Sequence, residues 1–405
     1  MIILYYSWRN LWRNSRRTTI TLVALALTTA VLIINFALVD GYLKGAVAAA
    51  TELVVGEAQV HGQGYLEDHS LYKTIDNPDA ILKAARDNGI GAAERTYGYG
   101  LVSVGNKSAG ALFWGVQPKI EKETFNLAKH IGEGIFLGDT ETGGIVLGKK
   151  LARSLNANPG DEIIAVVQAA DGSLGSELYK VSGILKSAGE DIDRGAAIIT
   201  DADFRQLFAM PEGIHEIALN SKGHIPPEMM PRLLAPALGN AEIKTWRQLL
   251  PAFSDMINLS SASIGIMSIV FFLAAGLGIM NTMLMATYDR MREFGIIKAL
   301  GTGPARIIGN VLAEAFLLSF FATMIGIILG SAGSYYLQIV GLDTGKLAGE
   351  MSFAGVAFDP VWHASLNLRA IVLPVFQMWI ICVLASLYPA ILAARLEPVK
   401  AMHHV

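Results

Sequence analysis

Residues 288–304 read Y-D-R-M-R-E-F-G-I-I-K-A-L-G-T-G-P, a short charged stretch between two long apolar runs. Met291, Phe294, Ile297 and Leu300 recur every three residues, which places them near one face of a helix. The Thr-Gly-Pro at the end of the stretch would stop this helix and start another. The pattern predicts a helix at the edge of a membrane whose apolar face docks on a partner.

Long runs without Asp, Glu, Lys or Arg lie on both sides of this stretch and elsewhere in the chain. They occupy residues 18–39, 256–288, 315–342 and 370–394. Each run is longer than the roughly 18–20 apolar residues that cross a bilayer. The sequence therefore predicts a membrane protein with four transmembrane α-helices. We place these helices at 18–39, 260–286, 305–333 and 370–393, with a short extracytoplasmic loop at 334–369.

Charge is distributed unevenly between the large segment after the first run and the rest of the chain. Residues 40–255 carry 20 Lys+Arg and 28 Asp+Glu, a net charge of −8, while the remainder carries 12 and 7, a net of +5. Because positive residues concentrate on the cytoplasmic side of membrane proteins, both termini and residues 287–304 are expected in the cytoplasm. The segment 40–259 is then extracytoplasmic.

The two ends of the chain are expected at the cytoplasmic surface. Residues 1–17 combine tryptophans with four arginines, a pattern typical of an interfacial helix, although a positive flank that only sets topology would look the same. An uncleaved anchor at 18–39 is favoured over a cleaved signal peptide because the apolar run is long. Residues 394–405 would form a cytoplasmic tail.

The segment 40–259 is predicted to be one large α+β domain inserted between transmembrane helices 1 and 2, with helical stalks at 40–52 and 245–259. Cys382, the single cysteine, lies in the fourth apolar run, so this domain has no disulfide. Strands are predicted at 53–60, 99–104, 109–116, 143–147, 161–167, 177–185, 195–200 and 214–220. Helices are predicted at 78–87, 148–155, 201–209 and 227–237.

One motif in this segment resembles a nucleotide-binding loop. Residues 143–150 read G-G-I-V-L-G-K-K, which matches a phosphate loop except that Lys150 replaces the Ser or Thr that binds magnesium. We favour an ordinary strand followed by a helix. The histidines lack metal-ligand spacing, and no catalytic acid pair or nucleophile motif is found. We therefore expect no catalytic residue, metal site or cofactor in this chain, and no nucleic-acid partner.

Small and polar residues within the apolar runs predict helix packing. Glycines let helices approach closely in lipid, and a polar side chain there favours a protein neighbour. The predicted packing residues are Gly276, Gly278, Asn281, Gly326 and Gly330. Glu314 is the one acid within a predicted span, and we favour a structural bond to Arg306 or a neighbouring helix over a proton relay.

Several motifs resemble those of the type VII ABC transporter permeases, the group that contains MacB, FtsX and the LolC and LolE lipoprotein-releasing permeases. The membrane-half motifs are G-I-M-N at 278–281, R-M-R-E-F-G-I-I-K-A-L-G at 290–301, L-A-E-A-F-L-L-S at 312–319 and S-L-Y-P-A-I-L-A-A-R-L-E-P-V-K-A at 386–401. Weaker matches at 56–61, 151–161, 181–187 and 245–246 favour the lipoprotein-releasing branch. The order of one span, a large outer domain and three spans is also that of this family.

This resemblance implies a permease that works with a separate ATPase. Two copies of an ABC ATPase subunit would bind ATP and Mg²⁺, and a second permease subunit, identical or different, would complete the complex. The cytoplasmic helix at 287–304 would couple the ATPase to the spans. The coupling residues implied are Arg290, Arg292, Glu293, Phe294, Gly295, Ile297 and Lys298, with Phe294 as an apolar knob.

The resemblance also implies a location and a cargo. The protein would lie in the bacterial inner membrane with its large domain in the periplasm, and would release a lipoprotein to a periplasmic carrier. Efflux through a MacB-like permease and FtsX-like activation of an envelope hydrolase remain alternatives. A membrane-tethered binding protein or enzyme with passive anchors is a further one.

Overall fold

The computed structural model describes residue 9 and residues 11–139, 141–345, 352–353, 356–358 and 361–396. The chain divides into two compact units. The first, here called the helical unit, comprises Met1–Lys44, Ile257–Thr344 and Val361–Val405. The second, here called the α+β unit, comprises Gly45–Met256 and Gly345–Pro360.

The α-helices differ widely in length. In chain order they are α1 Ser15–Leu53, α2 Tyr65–Asp68, α3 Pro78–Asp87, α4 Pro118–Thr124, α5 Lys149–Leu155, α6 Glu190–Gly195, α7 Asp201–Leu207, α8 Met230–Leu238, α9 Trp246–Leu249, α10 Pro251–Tyr288, α11 Met291–Ala299, α12 Pro304–Val340 and α13 Leu368–Arg395. Single 3-10 turns are found at Trp12–Asn14, Leu127–His130 and Pro227–Met229.

The strands are short apart from β2, β3 and β7. They are β1 Ala58–His61, β2 Gly91–Val104, β3 Lys107–Val116, β4 Ile131–Gly134, β5 Gly144–Leu147, β6 Glu162–Gln168, β7 Leu174–Leu185, β8 Ala196–Thr200, β9 Glu216–Asn220, β10 Glu242–Thr245, β11 Leu342–Asp343, β12 Ser352–Phe353, β13 Val356–Ala357 and β14 Val361–Trp362.

Four helices among the described residues are long and apolar enough to cross a membrane: α1, α10, α12 and α13. This agrees with the predicted membrane protein with four apolar helices. Their buried side chains form a shared core that includes Leu25, Ile279, Leu318 and Met378. Apolar side chains also cover the outside of these helices, for example Ile269, which is 59% exposed, as lipid contact requires.

The helices differ from the predicted spans at their ends. Helix α1 contains both the predicted span 18–39 and the stalk 40–52, and α12 runs to Val340, so the predicted loop at 334–369 starts later. About half of the predicted interfacial helix at 1–17, part of the loop and most of the tail at 394–405 lie outside the described residues.

The prediction of a strand at 53–60 is wrong in its first half. Val54 and Val55 favour a strand by propensity, but α1 continues to Leu53 and the Val55 N–H donates to the Ala50 carbonyl at 3.2 Å. Gly56 then turns the chain with φ 77°, a conformation that glycine adopts without strain. A Cβ there would lie 2.8 Å from the Leu219 carbonyl oxygen. The strand therefore begins only at Ala58.

The α+β unit contains a ring of six strands in the order β2-β3-β8-β5-β7-β6, which closes because β6 pairs with both β2 and β7. Its strands bury a common core that includes Phe113, Leu147, Val167, Tyr179 and Ile199. Closure removes the exposed strand edges of an open sheet. The β3–β8 and β5–β7 pairs are parallel, and the other four are antiparallel.

The same sheet continues beyond the ring. The first half of β2 pairs with β9, β9 pairs with β1, and β1 pairs with β10. Helices α3 and α8 cover one face of these strands through Ile81, Ala85, Met230 and Leu234. The ring and this continuation of the sheet thus share β2, which is 14 residues long. Most of the other strands and helices predicted here agree with the structure to within a few residues. The first half of β2 and the whole of β4, β10, β12, β13, α2, α4 and α6 were not predicted.

The loop-like motif at 143–150 forms strand β5 and helix α5, as favoured from the sequence. The backbone N–H of Gly143 donates to the Asp203 carboxylate at 3.1 and 3.2 Å. The Gly148 N–H donates to the Ala196 carbonyl at 2.9 Å. Because the N–H groups of both glycines are engaged within the protein, they are not available to bind a phosphate.

Candidate functional site

The segment between α10 and α12 forms the helix predicted from the sequence. Helix α11 ends with the hydrogen-bond pattern of a Schellman motif. The Thr302 N–H donates to the Ile297 carbonyl at 3.2 Å, and the Gly301 N–H donates to the Lys298 carbonyl at 3.0 Å. Gly301, with φ 94°, allows this ending. Pro304 then occupies the first turn of α12, where its missing N–H costs nothing.

Phe294 faces inward rather than toward a partner. Its side chain is 4% exposed and belongs to the core of the helical unit, together with Leu11, Ile307 and Ala394. The adjacent Gly295 is also buried. The expectation that Phe294 projects as an apolar knob is therefore wrong, because this ring is already packed between helices of the same chain.

Arg290 connects α11 to α12 through a buried ion pair. Its Nη1 lies 2.7 Å from Oε2 of Glu314, and the two side chains are 14% and 8% exposed. The same guanidinium lies 3.3 Å from the Glu293 carboxylate and 5.0 Å from the centroid of the Phe294 ring. Glu314 thus has a structural partner on a neighbouring element, as favoured from the sequence, but the partner is Arg290 rather than Arg306.

Further polar contacts hold the segment to α1 and α13. The Arg13 guanidinium pairs with Glu293, and Arg17 Nη1 lies 2.8 Å from Asp289 Oδ2. Lys298 Nζ donates to the carbonyls of Ala394 and Leu396, each at 2.8 Å. These carbonyls lie at the C-terminal end of α13, where backbone acceptors lack helical partners. The segment 288–304 is therefore attached to three of the four long helices: α1, α12 and α13.

The outward face of α11, as defined here, consists of Arg292, Ile296, Ile297, Ala299 and Leu300. All five are exposed, with Leu300 82%, Ile296 45% and Ile297 39% exposed. Of the predicted coupling residues, only Arg292 and Ile297 lie on this face. Arg290, Glu293, Phe294, Gly295 and Lys298 contact or pack within the helical unit instead.

The sequence prediction missed Ile296 and left Leu300 out of the coupling set. Leu300 was assigned to the apolar face by periodicity, so the signal for it was present. Nothing in the local pattern distinguishes the inward Phe294 from the outward Ile296 and Ile297, because their neighbours in space come from distant parts of the chain. Residues Leu11 and Ala394, which help to enclose Phe294, are separated from it by 283 and 100 positions.

The predicted packing residues fall into two groups. A Cβ added at Gly326 would lie 2.6 Å from Thr29 Cβ, and one at Gly330 would lie 2.9 Å from Ile33 Cβ, so both glycines permit close contact between α12 and α1. A Cβ at Gly276 would lie 3.3 Å from Ile381 on α13. Gly278 has open space beside it and Asn281 is exposed, so these two face away from the rest of the chain.

Two sequence families match this chain. One, described as the MacB-like periplasmic core domain, matches residues 18–228, just over half of the chain. The other, described as the FtsX-like permease C-terminal, matches residues 265–398 and therefore includes α11 and its contacts with α12 and α13.

Relatives of this chain include a lipoprotein-releasing permease and two export proteins. The lipoprotein-releasing system transmembrane protein LolC of Xylella fastidiosa is 21% identical over 397 residues, which cover 95% of this chain and 93% of LolC. The pyoverdine export ATP-binding/permease protein PvdT of Pseudomonas entomophila is 24% identical over 98% of this chain and 59% of PvdT. The macrolide export ATP-binding/permease protein MacB of Nitrobacter winogradskyi is 26% identical over 55% of this chain and 33% of MacB.

The match to the first family covers more than half of the chain, and the second family accounts for most of the helical unit. The expected resemblance to type VII ABC permeases is therefore confirmed. This chain belongs to the ABC transporter permeases that combine a MacB-like periplasmic core domain with an FtsX-like permease domain.

Proposed function

We propose that this chain is a permease subunit that receives motion from a separate ATP-hydrolysing subunit through α11 and uses it to release lipoproteins from a membrane. The observation that carries the first part is the arrangement of α11 itself. The segment 288–304 is attached to three long helices of its own chain, and the opposite side of α11 exposes Ile296, Ile297 and Leu300.

The attachments would let α11 transmit a displacement. A partner that moves α11 also pulls on α12 through Arg290 and Glu314, and on α13 through the Lys298 ammonium. A helix connected only by flexible loops would absorb the same displacement. The attached helix is therefore suited to convey ATP-driven movement into the apolar helices.

The outward face would contact the ATPase. Leu300 and Ile296 are four residues apart, so they stand on adjacent turns and can enter one apolar groove. Arg292 is one further turn away and can pair with an acidic rim on the partner, which fixes orientation more than affinity. ATP and Mg²⁺ would be bound by the partner, of which two copies are expected.

A second permease subunit, identical or different, would cover the exposed polar part of α10. Asn281 lies about 10 Å from the end of this helix at a rise of about 1.5 Å per residue. An exposed amide at this depth is costly in lipid unless a protein neighbour satisfies it. Gly278, with open space beside it, lies one turn away and would let a second helix approach closely.

The proposed cargo rests on the similarity to LolC, which covers 95% of this chain. The chain would lie in a bacterial inner membrane with α11 on the cytoplasmic side and the α+β unit in the periplasm. The positive charge before the first apolar run and after the second supports this orientation. A periplasmic carrier would accept the released lipoprotein.

The substitution Leu300→Asp tests the proposed contact. We expect the variant to be produced and inserted normally, because Leu300 is 82% exposed, but to lose co-purification with the ATPase and the ATP turnover that depends on it. Leu174→Asp is a matched control, since Leu174 is 77% exposed on β7 in the α+β unit. Normal ATPase binding by Leu300→Asp would contradict the assignment of this face.

The cargo requires a separate measurement. Inverted or reconstituted vesicles that contain the permease, its ATPase and a lipid-modified protein should release that protein only with ATP and an acceptor. If the complex hydrolyses ATP normally but exports a small molecule, or activates a murein hydrolase without releasing lipoprotein, the cargo proposal fails while the coupling proposal stands.

A further inference from the structure

A cleft of about 480 Å³ lies in the α+β unit and takes no part in the function proposed above. Three parts of the chain line it: one side of α5 with the turn that follows, the end of β7, and the neighbouring strand β4. Sites that bind small molecules usually have volumes of roughly 300–1,000 Å³. The cleft is therefore large enough to hold a small organic ligand.

Positive side chains dominate the lining of this cleft. It contains three cationic residues, Lys149, Arg153 and Lys186, and one acidic residue, Glu133, so the lining residues carry a net charge of +2. The segment 40–255 around them has the opposite sign, with a net charge of −8. Positive charge is thus concentrated at this cleft, and a cleft lined by one sign of charge concentrates ligands of the other sign.

Four of the lining side chains present hydrogen-bond donors that a ligand can reach. Arg153 and Lys186 are exposed, and their side chains make no ion pair or hydrogen bond with the described residues. The side-chain amides of Asn156 and Asn158 are also exposed and have no hydrogen-bond partner in the part of the chain that the structure describes. A ligand would therefore bind these groups without displacing another protein group.

The backbone that carries these donors is held in place by the core and by a turn. Arg153 lies on α5, whose Leu151 and Leu155 are buried in the core of the ring. After the helix, the Asn158 N–H donates to the Asp161 carboxylate at 2.8 Å. The donors of α5 and of this turn are thus set in position before a ligand binds, which reduces the entropy lost on binding.

Lys186 is positioned by the pairing of β7 with β4. Its N–H donates to the His130 carbonyl at 2.9 Å. The register of the two strands shifts between Ile131 and Glu133, so Gly132 lies in an irregularity of the sheet. A Cβ at Gly132 would lie 3.4 Å from Lys186 Cγ, which shows that the stem of the lysine passes beside this glycine.

We propose that this cleft binds a small phosphate ester. A phosphate monoester carries a charge of about −1.5 to −2 at pH 7 and three strong acceptor oxygens, which suits a lining of net charge +2 with donors on separate elements. The planar guanidinium of Arg153 would bind two of these oxygens, and the Lys186 ammonium would act as a point charge. Glu133 would accept a hydrogen bond from a hydroxyl on the organic part of the ligand.

Other ligand classes fit less well. A cation is repelled by the positive lining, and a neutral ligand leaves the charges of Arg153 and Lys186 without a partner. A single carboxylate has two oxygens and one negative charge, so it serves fewer of these donors than a phosphate does. The motif at 143–150 is not this site, because its glycine N–H groups are engaged within the protein and Lys150 pairs with Glu190.

The test compares three probes with a three-carbon skeleton on the full chain in nanodiscs of phosphatidylcholine. Glycerol 3-phosphate is a phosphate monoester, glycerate is a carboxylate, and glycerol is neutral. Calorimetric titration and ligand-observed NMR should show glycerol 3-phosphate binding at least about tenfold more tightly than glycerate, the effect of one additional hydrogen bond between charged groups. Glycerol should not bind. Equal binding of glycerol 3-phosphate and glycerate, or no binding of glycerol 3-phosphate, would overturn the proposal.

Two variants locate the binding. Arg153→Gln and Lys186→Gln each remove one positive charge at an exposed position, and each should weaken glycerol 3-phosphate binding by about tenfold, the usual effect of losing a hydrogen bond to a charged group. Arg86→Gln and Lys180→Gln are matched controls, since both residues are exposed in the same unit and neither lines the cleft. Unchanged binding by both cleft variants, or an equal loss in the controls, would refute the location.

A phosphate monoester can come from a soluble molecule or from the headgroup of a phospholipid. Repeating the glycerol 3-phosphate titration in nanodiscs that contain phosphatidic acid separates the two sources, and nanodiscs that contain phosphatidylglycerol control for the charge of the membrane. Weaker binding with phosphatidic acid alone would indicate that the headgroup occupies the cleft. Equal binding in both kinds of nanodisc would indicate a soluble ester.

Discussion

The ion pair between Arg290 and Glu314 predicts a measurable energetic coupling between α11 and α12. The pair is 2.7 Å long, and its side chains are 14% and 8% exposed, so each charge is largely shielded from water. Removing one partner of a buried pair costs about 3–5 kcal/mol, because the other charge remains buried. We therefore expect Arg290→Gln and Glu314→Gln each to lower the free energy of unfolding by about this amount.

The double variant should cost less than the sum of the two single variants, because no unpaired charge remains. A coupling energy of at least about 2 kcal/mol is expected, within the range found for contacting residues. Denaturant titration of the purified full chain in mild detergent, followed by tryptophan fluorescence, measures all four corners of the cycle. The Arg13–Glu293 pair supplies the matched control, since its side chains are 52% and 45% exposed.

For this control pair we expect a coupling of about 1 kcal/mol or less, as for other exposed ion pairs. The reasoning fails if the Arg290–Glu314 coupling is no larger than that of the Arg13–Glu293 pair. It also fails if the double variant costs as much as the two single variants together. Either result would mean that α11 and α12 do not depend on the buried pair.

Three further predictions follow from packing and burial. Phe294→Ala should lower the free energy of unfolding by about 3–5 kcal/mol, as for other buried phenylalanines, in the same denaturant titration. Gly326→Ala should lower the free energy of unfolding by about 1–3 kcal/mol, because its Cβ would lie 2.6 Å from Thr29. Gly278→Ala should raise the free energy of unfolding by about 0.5–1 kcal/mol, because Gly278 has open space beside it. Equal effects of the two substitutions would contradict the assigned contact. Burial lowers the pKa of His215 from 6.5, so this imidazole binds a proton more tightly in the unfolded chain than in the folded one. The free energy of unfolding should therefore fall as pH decreases below about 6.5. His215→Phe should reduce this pH dependence.

Local sequence patterns were sufficient where the structure depends on neighbouring residues. Helix α3 matches its predicted bounds at 78–87, since Asn77 accepts from the Ala80 N–H and Pro78 occupies the first turn. The four apolar helices were found for a related reason, because a run without charge is itself the condition for crossing a bilayer. These signals need no knowledge of distant contacts.

The incorrect predictions arise where residues distant in the sequence determine the structure. The first half of β2 contains Glu94 and Arg95, and no strand was predicted there. Arg95 is fully buried because Glu121 and Glu216, 26 and 121 positions away, neutralise it. The charges of 288–304 were likewise interpreted as a surface for a partner, although several of them bind other helices of the same chain.

The strengths of these internal contacts predict which helix would follow α11 in the coupling proposed above. The ion pairs to α1 and to the turn before it, Arg17–Asp289 and Arg13–Glu293, are open to water, so they are weak and screened by salt. The tie to α13 consists of the two hydrogen bonds from Lys298, whereas the tie to α12 is a buried ion pair, which should break last. Helix α12 packs closely on α1 at Gly326 and Gly330, which have no side chain to separate the two helices. A displaced α12 must therefore move α1 or separate from it. The main route of movement should therefore run from α11 to α12 and then to α1, so substitutions at Gly326 should impair coupling although they lie far from the outward face.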